Sequence, residues 1–189
     1  MSSHHIVREK QEPALLILGL DNFSDELLGQ LLEWSPTVIT TLQPAEKMVA
    51  FGIKVDWIIT NIINEQLQAD IKRLPEGSGT LAEDALKYLV ANGFPSVNVI
   101  TDEFDVKDYM SFADKINLVV FYNYKKIYPA KTGFSKWKPA GEIVELLTQP
   151  ANIHTAGLKI ISDNKYQTSA DGFFSLQFEE KFLFIAEEL

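Results

Sequence analysis

The fold is decided by residues 51–89, which run FGIKVDWIITNIIN at 51–64 and LPEGSGTLAEDALKYL at 74–89. Residues 55–63 are mostly apolar and β-branched, which predicts a strand buried inside a sheet. The polar segment 64–74 predicts a connecting helix. Thr80 and Glu83 have the spacing of a capping box, which predicts a helix from Thr80 to Gly93. A strand, a helix, a glycine-rich turn and a capped helix are typical of an α/β domain.

The same alternation of strands and helices continues on both sides of this stretch. Such alternation favours a parallel sheet with helices on its faces. Residues 14–124 therefore predict an N-terminal doubly wound parallel α/β domain. Its other predicted strands are 14–20, 37–41, 97–101 and 116–122. One further helix is predicted to begin at the N-cap Ser24 and to end before Pro36, and another to begin at Pro44 and to end at Gly52.

The chain changes character after Tyr124. Residues 125–139 are rich in turn formers and aromatic residues, and segments 157–161, 172–178 and 182–186 are predicted strands. Residues 179–181 are predicted to be a hairpin loop, and 143–147 suit either a helix or a strand. We therefore expect a small C-terminal β-sandwich domain at 125–189. Residues 1–13 lack the apolar core of a signal peptide and are predicted to be a disordered leader.

Composition excludes several classes of function. The net charge of -9 argues against nucleic acid as a partner, because phosphate-backbone binding needs clustered Lys and Arg. There is no cysteine, and thus no thiolate nucleophile or cysteine-type metal site. No apolar run approaches the roughly 20 residues that cross a bilayer, so a membrane is not an expected partner. A cytoplasmic protein is the simplest expectation.

Polar residues at the end of the organising strand are the first candidates for ligand binding. Thr60, Asn61 and Asn64 fall where open α/β sheets bind ligands, outside the carboxyl ends of the strands. Their neutral side chains can hydrogen-bond a base or a sugar. Alternatively, they only turn the chain out of the strand.

The turn before the capped helix is the second candidate. Ser78, Gly79 and Thr80 precede a helix N-terminus, where free backbone N–H groups can hold an anion, with Glu83 nearby. The spacing and the lysine of a P-loop are absent. The capping box is a sufficient structural explanation for Thr80 and Glu83.

The densest group of carboxylates follows the strand at 97–101. Asp102, Glu103 and Asp105 are candidate metal ligands, and Asp102 and Asp105 are candidate catalytic residues. Asp108 belongs to the same acidic segment. The alternative is a solvated surface loop.

The C-terminal half offers one further candidate group. Ser169 and Asp171, with Trp137 as an aromatic platform, could contact a heteroaromatic ring, whereas a β-turn explains 169–172 equally well. His154 has no partner in view and is interpreted as structural.

Four segments together resemble the thiamine pyrophosphokinase family over residues 14–189. FGIKVDWII at 51–59 is similar to that family's glycine, apolar stretch and aspartate before a strand. TLAEDAL at 80–86 resembles its T-D-L-E-L-A-L helix start, and TAGLK at 155–159 resembles its T-x-G-L-K. Ser169-Ala170-Asp171 lies where the family has Ser-Asn-Glu near thiamine. The resemblance implies a thiamine pyrophosphokinase-like fold and a homodimer.

The chemical motifs of the family are replaced in this chain. Thr60-Asn61-Ile62-Ile63-Asn64 stands where the family has Gly-Asp-Phe-Asp-Ser, and Leu81 stands where it has the aspartate of Lys-x-Thr-Asp. Pyrophosphoryl transfer from ATP needs Mg²⁺, which prefers carboxylate oxygens. The sequence therefore favours a binder of a nucleotide- or thiamine-type ligand that lacks the usual Mg/ATP carboxylates.

Two other functions remain open. The first is an active ATP-dependent thiamine pyrophosphotransferase whose cofactors are Mg and ATP and whose metal is held by 102–108. The second is a dimeric interaction protein that binds no small ligand.

Overall fold

The computed structural model describes residues 12–62 and 70–189, and the chain forms two compact units, Met1–Leu118 and Val119–Leu189. The elements of the first unit are β1 (Ala14–Ile17), α1 (Asp25–Leu32), β2 (Val38–Thr41), α2 (Leu42–Ala50), β3 (Trp57–Ile59), β4 (Lys72–Leu74), α3 (Leu81–Ala91), β5 (Ser96–Ile100) and α4 (Lys107–Met110). Strands β1, β2, β3 and β5 confirm the strands predicted there, although β3 is much shorter than expected.

The parallel strands of the first unit follow the order β5-β1-β2-β3-β4. All four residues of β1 are buried, as expected for a strand with neighbours on both sides and helices on its faces. Ser24 caps α1, since its hydroxyl accepts a hydrogen bond from the Leu27 N–H at 3.1 Å. Gly52 ends α2 with a positive φ of 71°, which a glycine adopts at little cost. The predicted burial of the first strand, the N-cap at Ser24 and the helix end at Gly52 are therefore confirmed.

The helix predicted for 64–74 is wrong where it can be compared. Residues 63–69 lie outside the described part of the chain, but Lys72–Leu74 is a parallel strand paired with β3. The Lys72 N–H donates to the Asp56 carbonyl at 3.0 Å, and the Lys72 ammonium lies 5.3 Å from the Trp57 ring centroid. A polar composition suits this exposed strand as well as it suits a helix, so the pattern could not separate them.

The second unit contains two sheets of antiparallel strands. The strands are β6 (Asn117–Tyr122), β7 (Lys125–Ala130), β8 (Phe134–Lys138), β9 (Ile143–Leu146), β10 (Ile153–Ala156), β11 (Leu158–Ser162), β12 (Lys165–Thr168), β13 (Gly172–Phe178) and β14 (Leu183–Glu188). Their orders are β6-β7-β14-β9-β12-β11 and β10-β13-β8. The residues of β6 span the boundary between the two units along the chain. Both sheets place side chains in one core, which includes Val144, Phe174, Leu176 and Ile185.

The predicted hairpin around 179–181 is wrong. β13 pairs with β8 and β10, whereas β14 pairs with β7 and β9. The segment between β13 and β14 therefore connects two sheets. The ambiguous segment 143–147 contains strand β9, because its backbone completes the ladder between β12 and β14.

Charged side chains in the interior of the second unit are paired with one another. The Glu187 carboxylate is 4% exposed and accepts hydrogen bonds from the Tyr128 hydroxyl at 2.9 Å and from the Lys136 ammonium. A second ammonium, that of Lys138, lies 3.7 Å from it. Burial and the charge of Glu187 hold the pKa of the Tyr128 phenol far above its ordinary value. A buried carboxylate is tolerated only with such partners.

Across the two units, parallel and antiparallel strands both occur, and the described helices are few and short. The fold is therefore a mixed α/β fold with a β-rich second half, and a simple doubly wound sheet is an incomplete description of it. The sequence-based division at residue 124 stays a prediction, and the predicted leader 1–13 lies outside the described residues except for Glu12 and Pro13. Within 12–62 and 70–189, no helix is long and apolar enough to span a membrane.

Candidate functional site

A cleft of about 480 Å³ opens in the first unit at the carboxyl ends of β1 and β5. Its walls come from the loop after β1, from α2, from the first turn of α3, from the loop after β5 and from α4. β2 lies on one side of β1 and β5 on the other, so the chain leaves the sheet in opposite directions at this point. Open α/β sheets bind ligands at such a switch point.

Asp102, the first residue of interest after β5, is turned toward the loop after β1. Its Oδ2 accepts a hydrogen bond from the Asp21 N–H at 3.0 Å, and its Oδ1 accepts one from the Asn22 N–H at 3.2 Å. Gly19 makes this approach possible, since a Cβ at that position would stand 2.1 Å from Asp102 Oδ2. Asp102 therefore lines the cleft and also ties together two of its walls.

The other carboxylates after β5 have separate surroundings. Asp105 Oδ1 accepts from the Lys107 N–H at 3.0 Å, in a local turn just before the short helix α4. Glu103 lines the cleft, and its backbone N–H and carbonyl both bond the Thr101 hydroxyl. The structure does not bring Asp102, Glu103 and Asp105 together as the ligands of one ion.

Asp108 of α4 also lines the cleft and has an unusual electrostatic environment. Burial raises the pKa of its carboxyl above the ordinary value, and the like charges of Asp105 and Glu83 raise it further. A hydrogen bond from the Thr80 hydroxyl opposes this shift. Asp108 was outside the predicted site set, although it belongs to the acidic segment that supplied the set.

The predicted residues at the end of β3 are engaged with their own chain. The Thr60 hydroxyl is buried and accepts from the Ile62 N–H at 3.0 Å, and Asn61 Oδ1 accepts from the Glu76 N–H at 3.1 Å. Asn64 lies outside the described residues. Neither Thr60 nor Asn61 lines the cleft.

The turn before α3 is closed by its own acidic side chains. Asp84 Oδ2 accepts from the Gly77 N–H at 2.7 Å, and the Thr80 hydroxyl accepts from the Glu83 N–H at 3.3 Å, which confirms Thr80 as the N-cap. Glu83 fills the space beside Gly79, where a Cβ would lie 2.2 Å from its Oε2. Thr80 lines the cleft, whereas Ser78 is exposed and is not part of its wall.

The remaining candidates lie in the second unit. The Ser169 hydroxyl donates to the Gly157 carbonyl at 3.1 Å, and Asp171 Oδ1 accepts from the Ala140 N–H at 2.8 Å. The Trp137 ring is half exposed and faces Phe173 across β8 and β13. His154 is in strand β10, where it faces Gln177 of β13.

Sequence reasoning missed the part of the cleft that α2 supplies. Gln43 and Lys47 lie in its wall, and the Lys47 ammonium contacts the Leu20 carbonyl at 3.4 Å. The available signal was their helical spacing of four residues, which places both on one face of α2. Gly19, inside the predicted strand 14–20, was a second signal, because a glycine within a strand often marks a close approach of another group.

Magnesium, which the family resemblance implies together with ATP, does not fit the described carboxylates. Among residues 12–62 and 70–189, no three His, Asp or Glu side chains are grouped so that they could hold a metal ion. Both oxygens of Asp102 accept backbone hydrogen bonds, and one oxygen of Asp105 does. We therefore derive no catalytic step that uses a metal ion.

Comparison with known proteins gives matches at the level of structure. No family model matches the sequence, and no curated protein does. A crystal structure of a protein from Lactobacillus plantarum is similar with a TM-score of 0.70 and 12% identity over 94% of this chain and 98% of that one. Thiamin pyrophosphokinase from Geobacillus thermodenitrificans gives a TM-score of 0.69 and 12% identity over 93% and 97%. The yeast thiamin pyrophosphokinase gives a TM-score of 0.65 and 10% identity over 97% of this chain and 88% of that one.

These likenesses cover nearly the whole chain at very low sequence identity. They confirm the resemblance that was inferred from residues 51–59, 80–86 and 155–159, and at such identity they carry the fold alone. The chain therefore has the fold of the thiamin pyrophosphokinases, with 10–12% sequence identity to the structures compared.

Proposed function

We propose that this protein binds a nucleotide- or thiamine-type ligand in the cleft of its first unit and does not transfer pyrophosphate. The fold places a cleft of ligand size at the switch point of the sheet. Lys47 and Gln43 on α2, together with Thr80 at the N-cap of α3, supply polar groups that can orient a small molecule. A cytoplasmic location remains part of this proposal.

One observation carries the second half of the proposal: the conformation of Asp102. Its carboxylate accepts two backbone hydrogen bonds from the loop after β1, at 3.0 and 3.2 Å. Each of its oxygens already has one hydrogen-bond donor, and among the described residues no three His, Asp or Glu side chains are grouped so that they could hold Mg²⁺. Pyrophosphoryl transfer depends on a metal that neutralises the charge developing on phosphate. Asp102 is better explained as a structural residue that links the loops after β1 and β5 by hydrogen bonds.

The test is a thermal-shift titration of the full chain with thiamine, with ATP and with a non-hydrolysable ATP analogue, each with and without Mg²⁺. A ligand that binds only the folded state stabilises it by about 2.7 kcal/mol at a hundredfold excess over Kd. For a chain of this length that corresponds to roughly 5–10 °C in Tm. We expect a shift with at least one ligand, equal with and without Mg²⁺, and no AMP when thiamine and ATP are mixed.

The other outcomes separate the alternatives. A shift that needs Mg²⁺, together with AMP formation, would identify an active ATP-dependent thiamine pyrophosphotransferase. No shift with any ligand at millimolar concentration would contradict both ligand-based functions and leave the interaction protein.

A second proposal, a homodimer, is supported by an exposed apolar surface on the second unit. Trp137 and Phe173 face each other across β8 and β13 and are 54% and 71% exposed. Two such neighbouring aromatic residues are a usual sign of a contact surface, since exposed apolar patches are costly in water. A dimer is compatible with ligand binding and also with the interaction protein.

A further inference from the structure

We infer that the cleft selects an unphosphorylated ligand, such as a nucleoside or a thiamine-like heteroaromatic alcohol, and rejects the corresponding phosphate ester. This inference rests on the proposed function and narrows it, because a nucleotide-type ligand would then bind as its nucleoside, without phosphate. Its evidence is that the Asp102 carboxylate takes two backbone amides of the loop after β1 and that acidic side chains stand around the rest of the cleft.

The first position is the loop after β1. Two consecutive N–H groups, those of Asp21 and Asn22, point to one place, and successive amides of this kind commonly bind anions. Here the Asp102 carboxylate takes both of them, at 3.0 and 3.2 Å. The absence of a side chain at Gly19 leaves the space that Asp102 fills, since a Cβ there would lie 2.1 Å from Oδ2.

The second position is the N-terminus of α3, where the helix dipole would favour an anion. The Gly77 N–H is taken by Asp84 at 2.7 Å and the Glu83 N–H by the Thr80 hydroxyl at 3.3 Å. Glu83 itself stands beside Gly79. These contacts place the acidic side chains of Asp84 and Glu83 beside the N-terminus of α3, where an incoming phosphate would meet their negative charge.

The charge of the cleft wall acts in the same direction. Among the described residues, the cleft wall contains four acidic residues, Asp21, Asp102, Glu103 and Asp108, and one lysine, Lys47. The Lys47 ammonium already contacts the Leu20 carbonyl at 3.4 Å. A cleft lined mainly by one sign of charge attracts the opposite sign and repels its own.

The experiment compares each parent compound with its phosphate ester on the full chain by isothermal titration calorimetry. The probes are thiamine against thiamine diphosphate and adenosine against ATP, in a buffer without Mg²⁺ and at fixed ionic strength. We expect the parent of one pair to bind about tenfold or more tighter than its ester. Inorganic phosphate alone should not compete with the parent compound.

Two matched variants identify the cause of the preference. Asp108→Asn removes one negative charge from the cleft and keeps an acceptor for Thr80, so the ratio of the two Kd values should fall roughly two- to fivefold. Glu46→Gln makes the same charge change on the exposed side of α2, outside the cleft wall, and should leave the ratio unchanged.

The remaining outcomes contradict the selectivity, its cause or the proposed function. If an ester binds as tightly as its parent or more tightly, the selectivity is overturned while the proposed ligand binding stands. If the ratio responds equally to Asp108→Asn and Glu46→Gln, the cleft carboxylates are not its cause and the inference is also overturned. If no probe binds, the proposed function fails, and this inference fails with it.

Discussion

Gly19 has a definite role at the scale of single residues. It is buried directly after β1, and the atoms nearest to an added Cβ are the Oδ2 of Asp102 at 2.1 Å and the Asp102 backbone nitrogen at 2.9 Å. The first of these could move with its side chain, but the second is backbone. A substitution here must therefore shift the loop after β5.

Gly19→Ala is expected to lower the free energy of unfolding by about 1–3 kcal/mol, the usual cost of overpacking a well-filled interior. Urea unfolding followed by circular dichroism measures it. Gly29→Ala is the matched control, since Gly29 is exposed in α1 and an added Cβ meets nothing within 4 Å. That variant should gain about 0.5–1 kcal/mol from helix propensity. Equal effects of the two substitutions would contradict the role given to Gly19.

Asp108 gives the protein a predicted dependence of stability on pH. Its pKa in the folded chain is raised by burial and by Asp105 and Glu83. The folded state therefore holds this proton more tightly than the unfolded chain does. The stabilising contribution is complete below the unfolded pKa of about 4 and is lost as the pH rises through the folded value.

Asp108→Asn removes this loss, because an amide carries no charge at any pH in the range. We expect the variant to have a higher Tm than the wild type at pH 7 and the difference to disappear below about pH 4. Scanning calorimetry at several pH values between about 3.5 and 7 measures the Tm of both proteins, so that the range begins below the ordinary pKa of an aspartate and ends well above it. A difference that is constant over this range would show that Asp108 does not titrate as described.

At the scale of the single element, α1 is the simplest helix to test, because its cap is local. The Ser24 hydroxyl accepts from the Leu27 N–H at 3.1 Å, and Asp25 and Glu26 occupy the first turn. Ser24→Ala should cost about 1 kcal/mol of stability. Ser24→Asp retains an acceptor at the cap and should cost little. Chemical denaturation of the wild type and of the two variants measures these differences in stability. An unchanged denaturation midpoint for Ser24→Ala would contradict the assignment of the cap.

The elements also show which parts of the fold could be predicted from the sequence. Ser24, Thr80 and Gly52 mark helix ends through contacts a few residues apart, so their patterns were sufficient. Residues 72–74 and 179–181 were predicted wrongly because strand pairing there depends on partners far along the chain. Local composition contains no information about such partners.

The candidate site was predictable to the same extent. Thr80, Asp102 and Glu103 were found because they follow a cap signal or a buried strand, and the cleft lies at strand ends. The contributions of Gln43 and Lys47 arise from the packing of α2 near β1. The engagement of Asp102 with the Asp21 and Asn22 amides spans about eighty residues of sequence, so no local pattern indicated that the carboxylate is occupied.

For the molecule as a whole, we predict that self-association uses the surface around Trp137 and Phe173. The double variant Trp137→Ser/Phe173→Ser should remain folded, because both rings are half or more exposed, and should elute as a monomer where the wild type elutes as a dimer. Size-exclusion chromatography with light scattering measures the mass. Phe51→Ser is the control, since Phe51 is 62% exposed on the first unit. A monomeric wild type, or a dimer that survives the double variant, would contradict this surface.

The position of β14 has a consequence for how a growing chain acquires its structure. β14 lies between β7 and β9, so Ile185 faces both Tyr128 and Leu146, although it is synthesised after every other strand of the second unit. Until Leu183–Glu188 has left the ribosome, β7 and β9 each keep an open edge that another chain could join. The second unit can therefore complete its larger sheet only after its last strand has been synthesised.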